Sequence, residues 1–201
     1  LVDELYNLDH SVWVVDRSKE NIQNNLGTTR DIRISCSDIN DVKDLPGTEV
    51  VVHLAAMAEI VQSVKSPAEY FRSNVSGTQN VLELARKANV KKFIYAASSS
   101  CYGKNEIWPV TEDCKVDPAY PYAETKYLGE RLALHYQKVY KLPVTSLRFF
   151  NIFGPRSRSF GYGSVFTTFL TQKAQGKPYT VIGDGGQSRD FLYVSDAVDA
   201  I

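Results

Sequence analysis

Tyr122 and Lys126 stand four residues apart in the stretch YPYAETKYLGE (120–130). A helix through this stretch puts both side chains on one face, with Cβ atoms roughly 6 Å apart. A free tyrosine titrates near 10, so it is a poor proton acceptor at neutral pH. A lysine charge at about 6 Å, through an effective dielectric of about 20, favours the phenolate by about 3 kcal/mol, or about two pKa units. Such a tyrosine can take and return a proton, which is the tuning acid–base catalysis requires. The spacing alone is common: Tyr136 and Tyr140 share it on the same helix, and an ordinary amphipathic helix can simply expose a Tyr and a Lys. The surrounding residues decide between the two.

Those residues fall at the ends of strand-like runs. SVWVVD (11–16) ends at Asp16, where an acid in a nucleotide-binding βαβ unit takes two ribose hydroxyls. DIRISCSDI (31–39) ends in SDI, and EVVVHLAA (49–56) ends in Ala55 and Ala56, small enough to let backbone approach a flat ligand. KKFIYAASSS (91–100) ends in three serines, and PVTSLRFFN (143–151) ends at Asn151. Each signal is weak alone, since solvated strand ends and packing alanines look the same. Five of them on one sheet edge point to a ligand.

Helical stretches alternate with these runs: 19–26, a short one at 41–45 (DVKDL), a long amphipathic one at 67–90, and 120–141. EVVVHLAA is apolar throughout, so it is expected to be buried on both faces. The βαβαβ rhythm predicts an α/β fold with a doubly wound parallel sheet, ligands lying at the carboxyl ends of its strands. After residue 151 the pattern loosens into the loop GPRSRSFGYGS and the glycine-rich turn GDGGQSRD, as in a smaller lobe. The division expected is 1–151 and 152–201. Residues 1–10 already have helical spacing and the last residues are helical too, so the chain is expected to be an internal fragment.

The 201 residues suit one domain or one large lobe, and 43% are apolar. Lys+Arg and Asp+Glu are 23 each, a balance that gives no support for a nucleic-acid partner. Cys36, Cys101 and Cys114 follow no C-x-x-C pattern, and His10, His53 and His135 are scattered; neither a disulfide framework nor a metal site is read. The cysteine usage suits a reducing, cytoplasmic compartment. No apolar run approaches the roughly 18 residues that span a bilayer, so no membrane partner is expected.

Taken together, VVHLAA, NVSGTQNVLELA, SSSCYG, YPYAETK, LRFFNIFGPR and GDGGQSRDFLYVSDA resemble the extended short-chain dehydrogenase/reductase family, the nucleotide-sugar epimerases and dehydratases. Within that family the chain is similar to the UDP-hexose and UDP-N-acetylhexosamine 4-epimerases. The resemblance implies a Rossmann-type fold, bound NAD, and Tyr122 as acid/base with Lys126 holding the nicotinamide ribose. It implies Ser98, four residues before the tyrosine of Tyr102-Gly103, as the hydroxyl that binds the sugar's 4-hydroxyl. Asp16 would take the adenosine ribose, with Arg17 beside the adenine, and Asp38 and Ile39 would contact adenine. Leu54, Ala55, Ala56, Ala58, Asn74 and Phe150 would line the dinucleotide. Asn151 and Arg189 would hold the substrate diphosphate, and a strand at 180–182 would present Thr180 and Ile182 to the nucleobase. The family's G-x-x-G-x-x-G phosphate loop is not in this sequence, and Thr167 stands where proline is usual. As it stands the fragment is therefore expected to be inactive.

Two positions narrow the reaction. Dehydratases of the family follow the catalytic Ser/Thr with an Asp-Glu pair, and decarboxylases carry Glu at the second position; here they are Ser99 and Ser100. Uronate epimerases tend to have threonine where this chain has Asn151. A 4-epimerase of neutral hexoses is the function expected, with an NDP-sugar reductase, dehydratase or decarboxylase of the same family, an epimerase at another carbon, or a non-catalytic nucleotide binder as alternatives. Tyr127, Leu128, Leu132, Leu134 and Tyr136 spread apolar surface over more than one face of their helix, which together with the resemblance predicts a homodimer.

Overall fold

Strands and helices alternate in the computed structural model, which describes residues 1–26, 32–105, 107–157 and 165–201. The chain divides into two compact units, Leu1–Arg148 and Phe149–Ile201.

The first unit begins with α1 (Val2–Asn7), β1 (Trp13–Asp16), α2 (Lys19–Leu26) and β2 (Arg33–Cys36). β3 (Val50–His53), α3 (Ile60–Lys65) and a long helical span follow, then β4 (Lys92–Ser98), α6 (Pro121–Tyr140) and β5 (Val144–Phe149). The span comprises α4 (Pro67–Tyr70), a π-helical segment (Phe71–Ser76) and α5 (Gly77–Lys87). β1 pairs in parallel with β2, and β3 in parallel with β4, whose other neighbour is β5. These are the parallel ladders with helical crossovers of a Rossmann-type α/β fold. They form separate sheets: among the described residues β1 and β3 do not pair with each other.

That gap corrects the expectation for EVVVHLAA. Only Val50–His53 is strand, and Val50 is 50% exposed, because β4 covers one edge of β3 alone. The run at 91–100 behaves as expected inside: Phe93, Ile94, Tyr95 and Ala97 of β4 are buried. Phe93, Tyr95 and Ala97 pack with Leu82 and Ala85 of α5, Ala133 and Tyr136 of α6, and Leu142 and Val144 to form the core.

Three further expectations change. Residues 42–45 are not helical. Asp38 Oδ1 accepts from the Asn40 N–H, Pro46 closes the segment, and Asn80 Nδ2 donates to the carbonyls of Ile39 and Val42, so side chains satisfy the backbone that a helix would have used. The helix expected at 67–90 ends at Lys87, and Asn89 turns it with φ 49°. Tyr136 and Leu132, read as partner-facing, belong to the chain's own core, where α6 lies against α5 and β4. Tyr127 and Leu128 are half-buried and Leu134 is exposed.

The second unit holds β6 (Asn151–Phe153) parallel to β7 (Phe191–Tyr193), with α7 (Val165–Ala174) and α8 (Val194–Asp199). Its strand starts after a break at Phe150, which splits the single strand expected over 143–151. Phe153, Phe166, Phe191 and Tyr193 form an aromatic cluster with centroids 4.7 to 6.2 Å apart, Phe153 stacked on Phe166 and the other pairs edge to face. Residues 180–182 are exposed and not a strand: the Thr180 N–H donates to Gln172 Oε1 at 3.1 Å, and Gln172 Nε2 returns a bond to Thr180 Oγ1. Part of the loop read at 154–164 lies outside the described residues.

Candidate active site

Two elements of the first unit deliver the three predicted catalytic side chains. β4 ends at Ser98, whose Oγ accepts the Ser100 N–H at 3.2 Å and so caps the 3₁₀ turn Ser99–Tyr102. Gly103 leaves that turn with φ 62°, and a Cβ there would run into the carbonyl of Asp117. The chain re-enters regular structure at Pro121, the first residue of α6, where proline's fixed φ and missing N–H cost nothing. One residue on, the Tyr122 phenol donates to Ser98 Oγ at 3.4 Å. Lys126 follows one turn later, only 5% exposed, its Nζ 4.5 Å from the centre of the Tyr95 ring.

The electrostatics differ from the expectation. Burial raises the Tyr122 phenol above its ordinary value, and the Ser98 hydrogen bond opposes it. Lys126 is spent differently: its ammonium lies on the π-face of Tyr95, and burial lowers it to about 8 while Glu130 pulls it back up. An ammonium poised near neutrality on a buried helix face is suited to gain a partner of opposite or polar character.

A set of buried polar residues, of which the motifs singled out only Asn74, holds this helix in place. Asn74 pairs with Met57 in both directions, Nδ2 to the carbonyl at 2.9 Å and Oδ1 from the N–H at 2.8 Å. Its other amide proton goes to Thr125 Oγ1 at 3.0 Å, and Thr125 donates to the Tyr122 carbonyl. The loop after β3 is thereby tied to the first turn of α6, which carries Tyr122. His53 lies 2.9 Å from Thr78 Oγ1; the Thr78 proton is already given to the Asn74 carbonyl, so His53 Nε2 is the donor. Burial, then the Lys126 charge, lowers His53 to about 3. The Tyr95 hydroxyl donates to the Lys126 carbonyl at 3.1 Å, and burial raises its pKa. Arg148 of β5 grips Glu130 through Nε and Nη2, with bonds of 2.7 to 3.0 Å, and donates to the Tyr102 hydroxyl at 2.7 Å. Those bonds hold the guanidinium above its ordinary value. The one sequence signal for this set is spacing: Glu130 lies one turn beyond Lys126.

The remaining first-unit residues, Asn74 of the π-helical segment apart, lie at or just beyond the carboxyl ends of strands. Asp16 ends β1 half-buried, Oδ1 accepting the Ser18 N–H at 2.7 Å, with Arg17 exposed beside it. Asp38 lies beyond β2; hydrogen bonds from Asn40, then the Arg72 charge, hold it below the ordinary carboxylate value against its burial. Ile39 packs against Gly77. Leu54, Ala56 and Ala58 are exposed and Ala55 half-buried, a small-residue shelf beyond β3. Asn74 is buried and committed to Met57 and Thr125, so its part is to shape that shelf. A flat dinucleotide fits this set: an acid for ribose hydroxyls, a small-residue shelf, and the Lys126 ammonium. Two surface cavities of about 350 and 380 Å³ open elsewhere, beside Lys141–Pro143 and Pro46–Thr48 at the amino ends of the strands, and include none of these residues.

In the second unit, Asn151 donates its N–H and Nδ2 to the Asp190 carbonyl, at 3.3 and 2.9 Å. Arg189 is exposed, bonded to the Ser188 carbonyl, and Ile182 is 81% exposed. Phe150 is half-buried at the break between β5 and β6.

A Rossmann-type fold with a serine, a tyrosine and a lysine gathered at a strand end defines a class of nucleotide-binding α/β proteins, and comparison with known proteins gives the family. The chain belongs to the NAD dependent epimerase/dehydratase family, which it matches over residues 1–201. It is 37% identical over 211 residues to the UDP-N-acetyl-alpha-D-glucosaminuronate decarboxylase of Bacillus cytotoxicus, covering 100% of this chain and 65% of that protein. A solved UDP-N-acetylglucosamine 4-epimerase from Methanobrevibacter ruminantium, in complex with UDP-N-acetylmuramic acid, superposes with a TM-score of 0.92 at 31% identity, over 99% of this chain and 66% of the other. The UDP-glucuronic acid 4-epimerase of Bacillus cereus, solved with UDP-glucuronic acid and NAD, gives 0.85 at 32% identity, over 96% and 64%. The chain spans from about half to two thirds of the curated relatives it matches, 49% and 67% in two of them. NAD is the cofactor of this family and is bound in solved neighbours.

Proposed function

We propose that the intact protein is a nucleotide-sugar 4-epimerase, acting on a UDP-sugar of the neutral hexose or N-acetylhexosamine kind. The observation that carries this is the pair Ser99 and Ser100 beside the Ser98–Tyr122 hydrogen bond. Neither can remove a second proton or expel water as a carboxylate does. NAD, when bound, supplies a hydride acceptor for C4 that gives the hydride back. Ser98 holds the 4-hydroxyl, and Tyr122 takes its proton as the C–H bond breaks. Lys126 holds the nicotinamide ribose. Rotation of the 4-keto sugar presents its other face, and Tyr122 returns the proton with the configuration at C4 inverted. Asn151 and Arg189 hold the diphosphate, and Thr180 and Ile182 lie against the nucleobase. Asp16, Arg17, Asp38, Ile39, the 54–58 shelf, Asn74 and Phe150 serve the dinucleotide. The protein works as a homodimer.

Incubating the intact protein with UDP-, dTDP- and GDP-sugars, and following products by proton NMR, tests the proposal. A C4-inverted UDP-sugar without net NADH is the outcome expected. Release of carbon dioxide from a uronate, as the Bacillus cytotoxicus relative's name implies for that protein, or loss of water overturns it.

A further inference from the structure

Three hydroxyls stand in a row where β4 meets α6. Ser98 Oγ accepts from the Ser100 N–H at 3.2 Å and from the Tyr122 phenol at 3.4 Å. A hydroxyl has two lone pairs and one proton. Both lone pairs of Ser98 are filled, so its proton goes to the partner that remains, Ser100 Oγ at 2.8 Å. The row therefore runs from Tyr122 through Ser98 to Ser100. An ionised Tyr122 can only accept, and the row must then reverse. Ser98 turns its proton to the phenolate, and Ser100 turns its own to Ser98. The Ser100 N–H holds Ser98 Oγ in place through the reversal.

We propose that Ser100 is a positioning residue for proton transfer at Tyr122, its hydroxyl receiving the Ser98 proton while the phenol is neutral and backing Ser98 as a donor once the phenol is ionised. The inference rests on the acid–base role given to Tyr122 above. Bonds to an ionised acceptor are stronger than neutral ones, and bonds in a chain polarise one another. Ser100 therefore contributes more to the phenolate state than to the phenol state. At Tyr122 burial works against ionisation and the Ser98 bond works for it, so what stands behind Ser98 matters. The other titratable groups around the phenol are Tyr120, stacked at 6.4 Å, Tyr70 of α4, Tyr95 of β4, and Lys126 one turn along α6. All four keep their places when only the Ser100 hydroxyl is changed.

The test places difluorotyrosine at position 122 of the intact protein, where fluorine NMR reads its titration near neutral pH without cofactor or substrate. Ser100→Ala should raise the midpoint by about half a pH unit. Ser100→Cys, which keeps the shape and is a weak donor, should raise it too, and serves if the alanine variant does not fold. Ser100→Thr should restore it. With native tyrosine, the acid limb of kcat/KM should move up in the same order. An unchanged or lowered midpoint in the alanine or cysteine variant overturns the proposal, as does a threonine variant that behaves like alanine. Because the fluorine titration needs no turnover, a shifted midpoint in a protein without 4-epimerase activity counts against the proposed reaction and leaves the role of Ser100 standing.

Discussion

At the residue scale the proposed reaction rests on one phenol that exchanges a proton. Tyr122→Phe removes the phenol bonded to Ser98 and leaves the ring that packs against Tyr120. Turnover in the intact protein should fall by on the order of a thousandfold. NAD affinity, measured by calorimetry, should stay close to that of the unaltered protein; retained turnover would remove Tyr122 from the role. Tyr122, Lys126 and Ser98 were legible because motif spacing names them. Their electrostatics were not. The sequence places a lysine one turn from a tyrosine, but it does not say that Tyr95, on β4, offers the ammonium its ring. Asn74 was legible from its motif, but the bonds that hold it, to Met57 and Thr125, were not.

At the scale of elements, strands and helices with strong periodicity were read closely, and irregular stretches were not. α2 and α6 fall within a residue of their expected bounds, because their apolar residues recur at helical spacing between clear punctuation. Residues 41–45 and 180–182 misled because their backbone is satisfied by side chains distant in sequence, Asn80 and Gln172. Close packing of elements also sets limits that propensity does not. Gly129 lies mid-helix in α6, where alanine is normally favoured by about 1 kcal/mol. Here a Cβ would run into the Tyr95 hydroxyl and come within 3.1 Å of the Asn74 carbonyl. Gly129→Ala should therefore destabilise the protein by about 1–3 kcal/mol, read as a lower midpoint in urea unfolding. An unchanged or raised midpoint would mean that Tyr95 yields without cost.

For the whole molecule, acid stability follows from what is buried, and the proposed association from what is exposed. His53 has a folded pKa of about 3 against 6.5 for the free group. Its folded value is depressed, so the stability it contributes is present above about 6.5 and is lost as pH falls toward 3, at about 1.4 kcal/mol per unit. Urea midpoints should fall between pH 7.5 and 5, and His53→Gln should flatten that fall; a flat profile in the unaltered protein would refute it. Ile60, Val61, Val64 and Phe71 expose apolar surface beside the helical layer, which supports the proposed homodimer. Light scattering on the intact protein at micromolar concentration should give twice the chain mass, and a monomer mass would count against it. The wide turn at Phe71–Ser76 carries a different kind of consequence. Tyr70 and Thr78 are both fully buried although eight residues apart, about 80° out of phase on an α-helix. Absorbing one residue in the π-segment leaves seven, about 20° short of two full turns, so both reach the interior. The segment is thus a place where the chain's length is negotiable. Deleting the exposed Ser76 should regularise the helix and keep both faces aligned, whereas deleting Glu83 should turn everything after it by about 100°. A thermal melt that treats the two deletions alike would show that the extra residue is not a removable insertion.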